Sequence, residues 1–391
     1  MTKFTTWPVF DQDAIDAVNR VLRSGKVNYW SGNEGKKFEQ EFAEFSGCKY
    51  AVAVANGSLA LELALLSLGI EKGDEVIVAS RSFIASASCV VMLGAKPVFA
   101  DVDHVSQNIT AESIRAVLTP NTKAIVVVHL AGWPCDMDSI MDLAESHGIK
   151  VVEDCAQAHV AKYKGRPVGS LGHVGAFSFC QDKIMTTGGE GGMLTTNDDK
   201  IWEKAWSYKD HGKSYDAVFN KSHPPGYRWL HESFGTNWRL TEMQSAIGRV
   251  VLNKVTHWVE KRRSFAKILD ECFSNISSLR VTIPPEEIYH SYYKYYVFVR
   301  PVKLKTGWDR NRIMMAISEK GVPCFNTYGG EVYLDKAFEY AGLMPEKRLP
   351  ISKELGVTCL QFLVHPTLRD EDIKFTCEVV ENVMHSCTIG S

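Results

Sequence analysis

Three short segments of this 391-residue chain carry residue types whose spacing could do chemistry. In the first, Ala55-Asn56-Gly57-Ser58 follows the apolar run YAVAVA and opens the almost wholly apolar SLALELALLSL. A strand, a glycine turn and a helix start in that order aim free N–H groups and the helix dipole at an anion, and Ser58 adds a hydroxyl. The arrangement suits a phosphate monoester, although an ordinary helix cap would read the same way. Neither G-x-x-x-x-G-K-[ST] nor G-x-G-x-x-G is present, so a nucleoside triphosphatase and a dinucleotide site lack support. In the second segment, Val152–Ala158 (VEDCAQA) ends an apolar strand with two acids. Ligands of open α/β sheets bind at the carboxyl ends of strands, which places Asp154 to meet one. An acid there could hold a ribose hydroxyl, a metal or a protonated ring nitrogen, or serve as a structural cap or ion-pair partner. In the third, Ser178-Phe179-Cys180-Gln181-Asp182-Lys183 leads into a turn with four glycines in five residues, Gly188 to Gly192. Such a turn needs positive φ or close approach. A lysine held inside by it has a lowered pKa and can form a Schiff base; a surface lysine beside a mobile turn is the bland alternative.

Each segment alone is weak. Together they offer a phosphate cradle, an acid at a strand end and a lysine on a glycine-rich connection. Those are the needs of pyridoxal 5′-phosphate (PLP): an anchored phosphate, a protonated pyridine nitrogen and a covalent amine.

The surrounding elements must place these groups. Glu75–Ala79, Pro97–Ala100, Ala124–Leu130 and Lys150–Glu153 are short and β-branched, which predicts buried strands. Ser58–Leu68, Ser82–Leu93 and Asp136–His147 read as helices between them. That alternation implies right-handed crossovers and a mostly parallel mixed sheet flanked by helices. Phe177–Phe179 and Gly192–Thr196 read as two further strands. A charged helix is expected from Thr241 to about Phe273, then a strand over Ser291–Arg300, and helices over Asp309–Lys320 and Thr367–His385. Thr367 and Asp370 have capping-box spacing. The division expected is a large α/β domain over 1–255 and a smaller α+β domain over 256–391.

Composition bounds the partners. Lys plus Arg number 44 against 46 Asp plus Glu, so no global basic excess points to nucleic acid. No apolar run reaches the ~18 residues of a membrane span. The N-terminal MTKFTTWPVFDQDAID has no charged end leading into an apolar stretch, so no secretory leader and a cytoplasmic location are expected. The ten cysteines form no Cys-x-x-Cys pair. The expectation is reduced packing residues, with neither a metal site nor a disulfide framework.

Across this frame the chain closely resembles the DegT/DnrJ/EryC1/StrS family of PLP-dependent sugar aminotransferases, of fold type I (aspartate aminotransferase-like). The phrases that carry the resemblance are SGKVNYWSGNEGKKFEQEFAEFSG, VANGSLALELAL, GDEVIVASRSFIAS, PVFADVD, TKAIVVVHLAGWPCDMD, EDCAQAH, FSFCQDKIMTTGGEGGMLTT and GTNWRLTEMQSAIG, in the family's order. The resemblance implies Lys183 as the Schiff-base lysine and proton shuttle, and Asp154 as partner of the pyridinium nitrogen. It places Gln157 on the ring-hydroxyl side, Phe83 stacked on the ring, and Asn56, Gly57, Ser58 and Ser178 around the phosphate. Asn237 matches an asparagine that reaches the phosphate from a second subunit, which implies a homodimer with shared active sites. Arg239 could meet a substrate carboxylate or form a structural ion pair. A lysine at 183, where some relatives carry His and act as dehydratases, favours transamination from L-glutamate to a keto or aldehydo sugar. Within the family the FCQDKIMTTGGEGG wording is similar to the branch forming 8-amino-3,8-dideoxy-manno-octulosonate, a lipopolysaccharide sugar. The alternative acceptor is a nucleotide-linked keto sugar of the perosamine or bacillosamine type. The alternative of another class is a catalytically silent regulatory protein on the same fold. Three departures stand out: Val160 where the family has Gly after AQAH, the polar and aromatic stretch Lys213–Ser233, and Cys324–Tyr333 (CFNTYGGEVY).

Overall fold

The computed structural model describes residues 4–226, 228–326 and 330–390. Part of the departure at Cys324–Tyr333, residues 327–329, therefore lies outside the described residues, as does residue 227 within the stretch Lys213–Ser233.

β-Branched and alanine-rich runs with both faces apolar form the centre of the molecule. Seven strands make one mixed sheet: β1 (Tyr50–Val54), β2 (Glu75–Ala79), β3 (Lys96–Ala100), β4 (Thr122–Val128), β5 (Lys150–Asp154), β8 (Val174–Ser178) and β9 (Gly192–Thr196). Their spatial order is β1-β9-β8-β5-β4-β2-β3. The pairs β2–β3, β2–β4, β4–β5 and β5–β8 are parallel, as crossover helices require, while β8–β9 and β1–β9 are antiparallel. The Gly57–Ser67 helix buries most of its surface, because its sequence offers no polar face. Short strands β6 (Lys162–Tyr163), β7 (Arg166–Pro167) and β11 (Ile288–Tyr289) form a separate three-stranded sheet. A four-stranded sheet holds β10 (Leu279–Val281), β12 (Tyr295–Val299), β13 (Cys324–Phe325) and β14 (Cys359–Phe362), in the order β10-β12-β14-β13.

The single helix expected from Thr241 to Phe273 is two, Glu242–Leu252 and Val255–Phe273. They part at Asn253-Lys254, where Asn253 Nδ2 turns back onto the Arg249 carbonyl (3.0 Å) and Lys254 pairs with Asp11 and Asp13. The second helix serves two cores: Val259 packs beneath the large sheet, and Phe265, Leu269 and Phe273 pack on the four-stranded one. The strand expected over Ser291–Arg300 spans only Tyr295–Val299. Tyr292 has φ +48°, a conformation unavailable to a strand, and this turn carries Tyr293 and Lys294 aside. The C-terminal helix begins at Asp370. Its box joins Arg369 and Asp372, while Thr367 donates to the Thr6 carbonyl instead (2.8 Å). Thr5 returns a bond to the Thr367 carbonyl (2.6 Å), so the N-terminal strap lies against the C-terminal unit. All ten cysteines are free thiols. No helix among the described residues is long and apolar enough to cross a membrane.

At the carboxyl end of the sheet, glycine permits an approach no other residue allows. Gly192 pairs with Val54 on one side and Ser178 on the other. A Cβ there would stand 2.3 Å from the Asn56 carbonyl oxygen and 2.9 Å from the Gly57 nitrogen, both backbone atoms. Gly192→Ala should therefore force β9 away from the helix start, with a loss of about 1–3 kcal/mol. Chemical denaturation of the variant checks this, and an unchanged midpoint would contradict the packing.

Candidate active site

The helix start, the ends of β5 and β8, and the β8–β9 connection meet around one cavity of about 880 Å³. Of the residues expected to act, Asn56, Gly57, Ser58, Phe83, Asp154, Gln157, Ser178 and Lys183 all line it.

The candidate phosphate cradle is built by close approach. Asn56 is the N-cap: its side chain accepts from the Leu59 N–H (2.9 Å), which holds the first turn of the helix open to the cavity. Gly57 lies against Ser178, where a Cβ would meet the Ser178 Cβ at 2.5 Å. The Ser178 hydroxyl and the first helical N–H groups thereby converge.

Asp154 is buried on the next parallel strand. Its Oδ2 accepts from the Ser86 hydroxyl (2.6 Å), itself hydrogen-bonded to Ser82 (2.6 Å), and its Oδ1 accepts from the Ala156 N–H (3.1 Å). Among the described residues no ion pair reaches it, and burial raises its pKa despite these bonds and the more distant Lys183 and His129. Glu153, adjacent in sequence, turns to the opposite face and is fully engaged. It accepts from Gly169, Leu171 and Gly172 N–H groups (2.9, 2.8 and 2.7 Å) and from His129 Nε2 (2.9 Å), whose Nδ1 accepts from Cys135 N–H (3.0 Å). These two with Cys155 have ligand-type atoms within 4.8 Å of one another, but the hydrogen bonds of Glu153 already account for its burial.

Lys183 sits on the connection between β8 and β9, where Gly188 and Gly189 take φ +90° and +125°. Its carbonyl accepts from the Trp7 indole N–H (2.9 Å). Its Nζ lies 3.8 Å from Asp182 Oδ1 and 4.8 Å from the centroid of the Tyr293 ring. The Tyr293 hydroxyl donates to Asp182. Burial works to raise the Asp182 pKa, but Lys183, the Tyr293 hydroxyl and Lys294 outweigh it and hold this acid below the usual range.

Gln157 accepts from the Ala131 N–H (2.8 Å), which fixes its amide and leaves its NH₂ as donor. Phe83 is 45% exposed and faces the cavity, so plain core packing does not describe it. Asn237 is exposed and lies outside the cavity lining of this chain. Arg239 also lies outside and pairs with Asp210 (2.5 Å), which Lys213 and the Trp30 indole share. Val160 adopts φ +70°, a strained conformation for a β-branched residue and the reason glycine would sit there at ease. Ser86, Trp7, Tyr293 and Lys294 were not foreseen. Lys294 did leave a signal, a cation set among four tyrosines in YYKYY.

The donor set fits PLP. A buried carboxylate with no ion pair among the described residues suits a protonated pyridine nitrogen, the helix start suits the phosphate, and an enclosed lysine suits the aldehyde. Fold and site together define a fold type I, PLP-dependent transaminase. The sequence profile of the DegT/DnrJ/EryC1/StrS aminotransferase family matches residues 8–383, and the chain belongs to that family. It is similar to the aminotransferase of Psychrobacter cryohalolentis, with 56% identity over 98% of this chain and 99% of that one, and a TM-score of 0.97. It is 34% identical to GDP-perosamine synthase of Escherichia coli O157:H7, over 93% of each chain. It is 33% identical to UDP-N-acetyl-3-dehydro-α-D-glucosamine 3-aminotransferase of Acidithiobacillus ferrooxidans, over 98% of this chain and 100% of the relative.

A stability test isolates Asp154. An acid whose folded pKa is raised loses folded-state stability as pH climbs above its ordinary value of 3.8. In PLP-free protein, Asp154→Asn should therefore raise the melting temperature at pH 7. The advantage should shrink as the pH falls toward 3.8. Thermal denaturation across pH measures it, and a pH-independent difference would contradict the assignment.

Proposed function

We propose that the chain moves the amino group of L-glutamate onto a keto or aldehydo sugar, with Lys183 and Asp154 carrying the chemistry. The observation that supports this best is a buried carboxylate with no ion pair among the described residues, in the same cavity as an enclosed lysine.

When bound, PLP supplies an aldehyde that condenses with amines and a protonated ring that withdraws electrons. Lys183 Nζ holds the cofactor between turnovers and moves the proton taken from the donor Cα. Asp154 keeps the proton on the ring nitrogen, and its low-dielectric surroundings strengthen that pairing. Gly57, Ser58 and Ser178 hold the phosphate, with Asn56 capping the helix that presents it. Phe83 covers the ring and the Gln157 amide donates to the ring-hydroxyl side. The exposure of Asn237 is consistent with its serving the site of a second copy in a homodimer.

For the acceptor, two relatives are named for GDP- and UDP-linked sugars, which favours a nucleotide-linked keto sugar. The FCQDKIMTTGGEGG wording favours a second reading, the octulosonate acceptor of lipopolysaccharide synthesis.

Purified protein should be yellow, and borohydride should fix the cofactor to Lys183; Lys183→Ala should abolish that attachment. Capture elsewhere would overturn the role of Lys183. Asp154→Ala should lower kcat by roughly 10²–10³-fold, the usual scale for removing a preorganised electrostatic group. Turnover of glutamate to 2-oxoglutarate with a panel of acceptors separates the substrates. Activity with nucleotide keto sugars alone removes the octulosonate reading, activity with the oxidised octulosonate alone removes the other, and no turnover with any acceptor points to a silent protein.

A further inference from the structure

Lys294 enters the cavity from the turn between β11 and β12. It is half-buried, and its ammonium makes no hydrogen bond or ion pair among the described residues. Its nitrogen lies 4.8 Å from the centroid of the Tyr293 ring, the same ring that Lys183 addresses at 4.8 Å. Burial draws its pKa down to about 8; Asp182 opposes this, and Arg262 and Lys183 add to it. Lys183 and Lys294 are the two cations among the described residues lining the cavity. A desolvated ammonium without an acceptor is unfavourable until an anion arrives.

The reaction supplies such an anion. An amino-acid donor carries a carboxylate on the same carbon that loses its proton. Once Lys183 attaches the cofactor, Lys294 is the cation left beside it. Arg239, the basic residue that the sequence offered for this task, is held by Asp210 and lies outside the lining. We propose that Lys294 holds the α-carboxylate of the amino donor and so fixes the donor Cα at Lys183 Nζ.

This inference rests on the reading of Lys183 given above, and its test separates the two. The holoenzyme is followed by cofactor absorbance through the first half-reaction, without acceptor. The donors are L-glutamate and isoglutamine, in which an amide replaces the α-carboxylate. In Lys294→Gln, kcat/KM for glutamate should fall about 10–100-fold, mainly through KM, the scale of a lost charge-assisted bond. The preference for glutamate over isoglutamine should collapse, and Lys294→Arg should restore most of it. Lys294→Met, which keeps the stem over Tyr293, should behave as Lys294→Gln does. An unchanged first half-reaction would overturn the proposal, as would equal losses with both donors. A defect confined to the acceptor half-reaction would also overturn it and assign Lys294 to an anion on the sugar. Failure of the underlying reading looks different: borohydride would miss Lys183 in the unmodified protein.

Discussion

A buried carboxylate with no ion pair among the described residues governs the site. Burial raises the Asp154 pKa even with Ser86 and the Ala156 N–H bonded to it. An ionised acid in that position is costly until a positive group is delivered. The protein bears this cost for as long as the site holds no cation, so folding stability and ligand binding pull in opposite directions at one residue. Glu153 faces the other way because successive side chains of a strand alternate, and there it finds four donors of its own.

Lys183 is held by a frame drawn from distant parts of the chain. Trp7 bonds its carbonyl, and the Trp7 ring lies 5.3 Å from the guanidinium of buried Arg262. Arg262 in turn donates to the Tyr293 carbonyl (3.1 Å), and Tyr293 closes the circuit through Asp182. His159 sits between Phe177 and Phe179 (5.6 and 5.7 Å) with both ring nitrogens unpaired among the described residues. Burial, aided by Lys183 and Arg262, lowers its pKa to about 3 and keeps it neutral beneath the site. The Lys183 loop is thus positioned by the N-terminal strap, a long helix and the turn before β12, as well as by its own glycines.

Local pattern made much of this legible. Glu75–Ala79 and Gly192–Thr196 form strands at the boundaries the sequence predicts, because β-branched runs bounded by turn residues leave little alternative. Asn56-Gly57-Ser58, Asp154 and Lys183 were readable because each sits at the end of such a run. Misreadings share one cause. Lys254 at the helix break pairs with Asp11 and Asp13, the turn at Tyr292 is bonded by Ala131, Gly132 and Arg262, and Thr367 is drawn off to Thr6, leaving the cap to Arg369 and Asp372. Periodicity carries no record of those contacts.

The sequence by itself determined the sheet, the crossovers, the glycine-rich lysine loop and the membership of a cofactor-dependent family. Those depend on local propensity and on motifs in a fixed order. Only the tertiary structure decided which charged groups are satisfied and which are not. Arg239 finds Asp210 and Glu153 finds its four donors, while Asp154 and Lys294 share one cavity and neither forms an ion pair among the described residues. Pairing depends on which side chains meet across the fold, and burial then fixes the energetic consequence, because charge is expensive only where water has been removed.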